Sequence, residues 1–170
     1  MNHFHFDFVR SPVSATLLLL LLLGTAGCTE RQYPSLQGAP EGFAEILEVN
    51  SAESSEVHQT EGTFLALAQQ ANRVVLVDFW GPHCETCRHL AKELEEIAKK
   101  NPDKVSVVKV DLESAMNADL AMFFEVRTIP EMRIFVDGQS AGAIHGYTSA
   151  SQITQRLEPA MKLLESQSEL

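Results

Sequence analysis

Two cysteines separated by two residues are the part of this sequence best suited to chemistry. Cys84 and Cys87 follow an apolar stretch, residues 73–79, and precede a segment with helical periodicity, residues 85–100. Thiols three positions apart at the start of a helix can close a small disulfide or open to a dithiol. The partial positive charge at a helix N-terminus favours the thiolate, which is the reactive form. The spacing therefore indicates redox or nucleophilic chemistry at this point of the chain.

Composition limits the classes of protein to which the chain can belong. Its 170 residues allow one domain with a real core plus appendages, and 45% of them are hydrophobic, as in globular proteins. The net charge of −10 argues against nucleic acid as a partner, because phosphate binding needs clustered Lys and Arg. The chain contains three cysteines. The simplest partition pairs Cys84 with Cys87 and leaves Cys28 a separate role.

Residues 1–27 have the pattern of a signal segment. An almost wholly apolar run covers residues 13–23 and is too short to span a bilayer comfortably as a mature helix. The sequence at 24–28, Gly-Thr-Ala-Gly-Cys, resembles the lipobox of bacterial lipoproteins, although Thr25 stands where those proteins usually have an aliphatic residue. The resemblance implies lipidation of Cys28. An ordinary cleaved signal peptide and an uncleaved anchor are the alternatives.

The signal segment also predicts where the protein works. In all three cases the domain lies outside the cytoplasm, in a compartment where disulfide chemistry is possible. We expect an exported protein of the cell envelope, lipid-anchored to a membrane and facing the periplasm. Residues 28–42 are rich in Pro, Gly and polar groups, so we expect a flexible tether there and a folded domain at 43–166.

The rest of the chain alternates between strand and helix patterns. Alternating and β-branched runs predict strands, whereas apolar stripes at helical spacing predict helices. We predict a loop at 50–60 and a break or kink at Pro159 in the last helix. The predicted strands are 43–49, 73–79, 105–110, 132–136 and 141–145, with a hairpin at Asp137-Gly138, and the predicted helices are 61–71, 85–100, 119–125 and 149–165. This order predicts an α/β fold with a mixed central sheet and helices on both faces.

These motifs together resemble the thioredoxin family over residues 43–164. The segment 77–88, Val-Asp-Phe-Trp-Gly-Pro-His-Cys-Glu-Thr-Cys-Arg, is similar to the family's active-site motif. Residues 128–130, Thr-Ile-Pro, are similar to the segment that carries its cis-proline. The resemblance implies a thioredoxin fold and thiol–disulfide oxidoreductase activity on protein thiols and disulfides. It further implies an electron donor in the envelope and no cofactor.

The resemblance assigns the two thiols and one carboxyl group their roles. Cys84 would attack a substrate disulfide as the nucleophile, and Cys87 would resolve the mixed disulfide. Asp78 lies in an otherwise apolar strand, so burial should raise its pKa. In the family the matching Asp takes the proton of the resolving thiol. The alternatives are a static disulfide or half of a zinc site for the cysteines, and a strand-end carboxylate bound to backbone for Asp78.

Three further residues acquire expected positions from the same resemblance. Pro130 would follow a cis peptide bond and face the cysteines, leaving the preceding backbone free to pair with an extended substrate. Trp80 would lie beside the disulfide, where ordinary core packing is a compatible role. Lys109 would pair with Asp78, and the alternative is a solvated lysine.

The motif departs from the general thioredoxin pattern at four positions. Glu85 and Thr86 replace the usual Gly-Pro between the cysteines, at positions that tune the reduction potential. Glu85 favours the helix N-terminus but disfavours a neighbouring thiolate. His83 replaces a second Trp, and a protonated His there would stabilise the nucleophile's thiolate. Glu131 follows the cis-proline candidate, which predicts a more acidic substrate groove.

Three functions are compatible with these residues. The first is a disulfide oxidoreductase with no metal at its site, favoured as a reductase because its strand carries a buried Asp in a thioredoxin-like context. The second is a metal-binding or metallochaperone module in which Cys84, Cys87, His83 and His89 bind Cu(I) or Zn²⁺. A four-sulfur zinc site is excluded because the chain has no second Cys-x-x-Cys pair. The third is a non-catalytic binding domain that keeps the fold as a scaffold.

Overall fold

The computed structural model describes residues 32–49 and 57–168, so the predicted signal segment 1–27 and Cys28 lie outside the described residues. Within the described ranges, no helix combines the length and the apolar character needed to cross a lipid bilayer. The elements in chain order are β1 (Phe43–Val49), β2 (Val57–Thr63), α1 (Phe64–Ala68), β3 (Val74–Trp80), α2 (Glu85–Lys100), β4 (Val105–Asp111), a 3-10 turn (Ala115–Asn117), α3 (Ala118–Phe123), β5 (Glu131–Val136), β6 (Gln139–His145) and α4 (Ala150–Ser168).

The described strands form one mixed sheet in the order β2-β1-β4-β3-β5-β6. β3 runs parallel to β4, and the other neighbouring pairs are antiparallel. Residues 74–79 of β3 are all buried, which explains why they are apolar except for Asp78. The parallel pair and the antiparallel hairpin confirm the predicted mixed sheet. They also place β3, which leads into the cysteine pair, between β4 and β5.

Helices cover both faces of the sheet, as predicted. On one face α2 and α4 pack against the sheet through a buried stripe that includes Leu90, Leu94, Ile97, Ile153 and Leu157. On the other face α1 and α3 pack through Phe64, Ala68 and Leu120, around the rings of Phe79, Phe124 and Phe135. Packing against the sheet and against α4 holds α2 in place, and the first turn of α2 carries the thiols.

The segment before β3 differs from the prediction of a loop followed by a long helix. Residues 57–63 form β2, an edge strand paired antiparallel with β1 from Phe43↔Thr63 to Val49↔Val57. The helix α1 is correspondingly short and begins only at Phe64. The polar residues of β2 lack the apolar alternation that identifies a half-buried strand, because an edge strand is held by backbone pairing rather than by a buried face. The apolar residues at helical spacing do form a helix at 64–68, but residues 61–63 of the predicted helix belong to β2 and residues 69–71 follow the end of α1.

Residues 32–42 pack against the domain, whereas a flexible tether was predicted over 28–42. Leu36 is only 2% exposed and Ala39 is buried beside it in the core that contains Phe64. The Leu36 N–H donates to the Gly138 carbonyl at 2.9 Å, which ties the segment to the β5–β6 turn. The average composition of this segment is polar, but its apolar residues Leu36 and Ala39 are buried in the core. Packing therefore begins well before residue 43.

The last helix, α4, runs unbroken from Ala150 to Ser168 with Pro159 inside it, so of the predicted break or kink the break is wrong. Pro159 is exposed, while Leu157 and Ala160 on either side of it are buried. The packing of these neighbours against the sheet outweighs the loss of one backbone hydrogen bond at a proline. The hairpin prediction holds: Asp137 (φ 48°) and Gly138 (φ 77°) form the turn with the left-handed backbone that Asp-Gly favours.

Candidate active site

The two cysteines lie where the loop after β3 becomes α2. Cys84 is the residue that caps the helix, and its Sγ accepts a hydrogen bond from the Cys87 N–H at 3.1 Å. A disulfide joins Cys84 to Cys87, with Cα atoms 5.2 Å apart. Cys87 is 2% exposed whereas Cys84 is half-buried. Cys84 is therefore the sulfur that a large substrate can reach, and the positive end of the α2 dipole lies against it.

The residues between the cysteines are exposed and leave the disulfide open to solvent on that side. Thr86 places its Oγ1 3.3 Å from the Cys84 Sγ, within hydrogen-bonding reach. Glu85 occupies the first turn of α2, where a carboxylate stabilises the helix. Thr86 thus adds a hydroxyl donor for the nucleophilic sulfur, a contact that the sequence pattern alone did not identify.

Asp78 is the buried acid of the site. It is 1% exposed, and neither carboxyl oxygen has a hydrogen-bond partner among the described protein groups. Burial raises the pKa of Asp78 to about 7, although the nearby charge of Lys109 pulls it down. A carboxyl group that titrates near neutrality can hold or release a proton at working pH. The expectation of a raised pKa is therefore met, and binding of this carboxylate to backbone is not seen.

Lys109 faces Asp78 from the adjacent parallel strand. The two residues are register partners in the β3–β4 pair. Lys109 is 7% exposed, so the alternative of a solvated lysine is wrong. Its Nζ lies 4.1 Å from the centroid of the Trp80 ring, a cation–π contact that satisfies part of the buried charge. Trp80 is half-buried at the end of β3 and so links the Lys109–Asp78 pair to the redox loop.

The cis-proline segment lies beside the same loop. The Ile129–Pro130 peptide bond is cis. Glu131 pairs with Phe79 in the antiparallel β3–β5 register, which brings Pro130 to the end of β3 where the redox loop starts. A Cβ atom built on Gly81 would lie 3.2 Å from the Cδ1 of Ile129, so the two segments are in contact. Pro130 therefore occupies the neighbourhood that the thioredoxin resemblance implies.

Glu131 does not make the groove acidic, contrary to the prediction. It is 3% exposed, and its Oε1 lies 2.5 Å from Nη2 of the buried Arg133. Its Oε2 lies 3.1 Å from the His145 Nδ1. Glu131 is the register partner of the buried Phe79 on β3, and partners in neighbouring strands place their side chains on the same face of the sheet. Glu131 therefore points into the protein. The charge is thus paired inside the protein, and the Arg133 guanidinium is covered by the ring of Tyr33 at 4.2 Å.

His83, directly before the nucleophile, is held by a residue that the sequence did not single out. Its Nδ1 lies 2.5 Å from the Glu113 Oε2, and its backbone N–H donates to the Glu113 Oε1 at 3.2 Å. These bonds lower the pKa of Glu113. Glu113 lies 30 positions further along the chain, after β4, so no local pattern in the sequence connects it with His83. Only the parallel β3–β4 pairing brings the two strand ends together.

The described side chains give no support to the metal-binding alternative. No group of three or more His, Cys, Asp or Glu residues in 32–49 and 57–168 is arranged to hold a metal ion. The thiols are joined to each other, and His83 is bonded to Glu113. His89 is exposed on α2. The donor atoms on which that alternative depended are therefore engaged elsewhere or dispersed.

Sequence comparisons with known proteins agree with this geometry. The family model described as Thioredoxin matches residues 55–159. Thioredoxin 1 of Synechococcus elongatus is 35% identical over 99 residues, covering 58% of this chain and 91% of that protein. Thioredoxin of Mycolicibacterium smegmatis is 33% identical over 111 residues, covering 65% of this chain and 99% of that protein. A solved thioredoxin-2, described as a component of malaria parasite protein secretion machinery, aligns with a TM-score of 0.49 at 20% identity, covering 51% of this chain and 82% of that one.

The family match and the site now point to the same conclusion. The model covers more than half of the chain and includes the cysteine pair, the cis-proline segment and the strands between which they lie. The match to these two thioredoxins covers almost their whole length. This chain belongs to the thioredoxin family and is a thiol–disulfide oxidoreductase.

Proposed function

We propose that this protein reduces disulfides in protein substrates outside the cytoplasm, through Cys84 and Cys87, while a lipid on Cys28 holds it at a membrane. The observation that supports the reducing direction best is Asp78. It is a buried carboxyl group without a hydrogen-bond partner among the described groups, on the strand that leads into the redox loop, with its pKa raised to about 7. Such a group can accept a proton at neutral pH and store it away from water.

The reaction begins with the enzyme as a dithiol. The Cys84 thiolate attacks one sulfur of the substrate disulfide, forms an intermolecular S–S bond and releases the other substrate sulfur as a thiolate. Cys87 then loses its proton, attacks the Cys84 sulfur and expels the second substrate thiolate. The enzyme ends as the Cys84–Cys87 disulfide, and the substrate has gained two electrons and two protons. A dithiol donor of the envelope must return those electrons before the next cycle.

The second step is where the buried acid would act during reduction. Cys87 is almost fully buried, so water cannot easily take its proton. Asp78 in its carboxylate form is the proposed acceptor, which makes closure of the enzyme disulfide fast. Closure is the step that releases a reduced substrate. An oxidase instead needs a disulfide that substrate thiols open readily, and it needs a strongly stabilised reduced form.

The location is supported by the sequence. Residues 13–23 have the length of a signal-peptide core, and Cys28 follows small residues as in bacterial lipoproteins. Because packing of the domain already begins at residue 33, only residues 29–32 would separate a lipid on Cys28 from the packed segment. The protein would then work on substrates that come to the membrane rather than on distant ones.

The direction is tested by the reduction potential of the full chain, measured by equilibration with glutathione. A reductase should equilibrate below about −230 mV, near the thioredoxin value, whereas a potential above about −150 mV would reverse the proposal in favour of an oxidase. Fractionation tests the anchor. Wild type should be recovered with the membranes, and Cys28→Ser should move to the soluble envelope fraction. Equal membrane recovery of the two would contradict lipidation at Cys28.

A further inference from the structure

The loop that carries the nucleophile is held by one carboxylate from outside the motif. Glu113 bonds to both the side chain and the backbone N–H of His83, through Oε2 and Oε1 respectively. A Cβ atom built on Gly81 would lie 2.8 Å from the same Oε1, so the carboxylate lies directly on the glycine backbone. The Cys84 N–H donates to the Gly81 carbonyl at 3.1 Å. Glu113 therefore lies across the turn from which Cys84 projects.

The position of Glu113 is itself fixed by the ends of two paired strands. The Leu112 N–H donates to the Trp80 carbonyl at 2.9 Å, which keeps the chain after β4 against the end of β3. The Glu113 N–H donates to the Asp111 Oδ1 at 2.9 Å, which orients the turn. These two hydrogen bonds fix the backbone at Glu113. Its carboxylate is therefore held next to His83.

We propose that Glu113 is a positioning residue for the redox centre: its carboxylate holds the imidazole ring of His83 beside Cys84, where the ring in its protonated form stabilises the thiolate that attacks substrates. A cation next to a cysteine at a helix N-terminus is an arrangement that increases thiolate character. The inference rests on disulfide exchange through Cys84. It does not depend on the proposed direction or location.

The charges around His83 have opposite expected effects, which makes the proposal testable. Among the described residues, Glu113 bonds to His83, Asp111 lies behind Glu113, and Glu85 follows the nucleophile on α2. Arg88 donates to the Pro82 carbonyl at 3.3 Å. Both Glu113 and Glu85 carry a negative charge that by itself disfavours a thiolate. Only Glu113 also holds the His83 ring in place, so neutralising Glu113 should slow the reaction of the Cys84 thiol, whereas neutralising Glu85 should not.

The size of the effect follows from exposure. The His83 and Glu113 side chains are 87% and 40% exposed, and an exposed ion pair contributes little to folding. We therefore expect Glu113→Gln to leave the unfolding temperature almost unchanged and to act on the thiol alone. For so exposed a pair we expect roughly a threefold change in the thiolate population of Cys84.

The test measures alkylation of Cys84 by iodoacetamide against pH in the reduced full chain, with mass spectrometry separating Cys84 from Cys28 and Cys87. Glu113→Gln should react about threefold more slowly at pH 6 and shift the pH midpoint upward, and His83→Gln should do the same. The double variant should be no slower than either single one. Glu85→Gln, the matched loss of charge, should react at the wild-type rate or faster.

Three outcomes would overturn the proposal. One is a wild-type or faster rate in Glu113→Gln, which would mean that the carboxylate acts only as a negative charge. Another is an effect confined to Glu113→Ala, which would assign Glu113 to the shape of the turn alone. The third is additivity of the two single changes. Reduction of insulin disulfides by wild type reports the oxidoreductase activity separately, so failure of that activity is distinguishable from failure of this inference.

Discussion

Asp78 and Lys109 are register partners on neighbouring parallel strands, and both side chains are almost fully buried beneath the redox loop. Lys109 lowers the pKa of Asp78, while burial raises it by more, to about 7. The cation also lies over the Trp80 ring, which ends the same strand as Asp78. This arrangement holds one carboxyl group close to its titration point, where small changes in its surroundings alter its charge.

Replacement of Asp78 by Asn should stabilise the folded protein at alkaline pH. The folded state holds the Asp78 proton more tightly than the unfolded state between pH 3.8 and about 7. Wild-type stability therefore falls as pH rises through that window, and the fall is complete above it. Since a tenfold change in proton affinity is worth about 1.4 kcal/mol, the cost at pH 8 is on the order of 4 kcal/mol.

Urea unfolding of the oxidised proteins at pH 4.5 and pH 8 measures this effect. Asp78→Asn should exceed wild type at pH 8 by much more than at pH 4.5. Asp103→Asn, which removes an exposed carboxylate, should show no such difference. The same advantage at both pH values would mean that Asp78 has an ordinary pKa in the folded state.

Replacement of Lys109 by Met should shift the pH dependence of substrate reduction upward. Lys109 favours the charged form of Asp78, so its loss raises the pKa of Asp78 further above the ordinary aspartate value. If the carboxylate accepts the Cys87 proton, the rate at pH 6.5 should fall several-fold and recover at higher pH. Initial rates of insulin reduction between pH 5.5 and 9 give the midpoint. Lys104→Met, at a lysine paired with Glu165 on α4, serves as the control; an identical midpoint in Lys109→Met and wild type would exclude this coupling.

Replacement of Thr86 by Val should make the centre more reducing. The Thr86 hydroxyl lies 3.3 Å from the Cys84 Sγ and can donate to the thiolate in the reduced state. Loss of a partly exposed hydrogen bond worth about 0.5–1.5 kcal/mol lowers the potential by roughly 10–30 mV. Glutathione equilibration measures the shift. Thr86→Ser keeps the hydroxyl and should stay near the wild-type potential, and a Val variant at the wild-type potential would show that the hydroxyl does not bind the thiolate.

Replacement of Leu36 by Ala should destabilise the domain although Leu36 lies before its predicted start. Leu36 is 2% exposed within the core that contains Phe64 and Phe135. Truncation of a buried leucine costs about 2–4 kcal/mol. Urea unfolding of the full chain checks this value, with the exposed neighbour Gln37→Ala as the control. Equal stability of the two variants would mean that residues 32–42 do not contribute to the packed domain and behave as a tether.

The parts of the structure that the sequence predicted well carry their signal locally. The β3 strand is a run of β-branched residues, α2 has a clear apolar stripe, and Asp137-Gly138 demands a hairpin turn. The cysteine pair and Asp78 lie within one short stretch, so the resemblance to thioredoxins placed both together. Pro130 directly precedes the strand β5, so its position beside the end of β3 follows from the pairing of β5 with β3.

The parts that were missed depend on partners distant in the chain. The edge strand β2 is polar, and its pairing with β1 rather than its own pattern makes it a strand. Leu36 is a single apolar residue in a polar segment, and only the finished core shows where it packs. Glu113 meets His83 because β3 and β4 end side by side. No periodicity in the sequence reports that kind of contact.

The most direct test of the account is trapping of substrates by the Cys87→Ser variant of the full chain. Cys84 should form mixed disulfides with envelope proteins that dithiothreitol releases, and mass spectrometry should find Cys84 in the joined peptides. Cys84→Ser should trap none. Mixed disulfides that form equally in both variants, or that join through Cys28, would contradict a redox centre in which Cys84 is the nucleophile and Cys87 the resolving thiol.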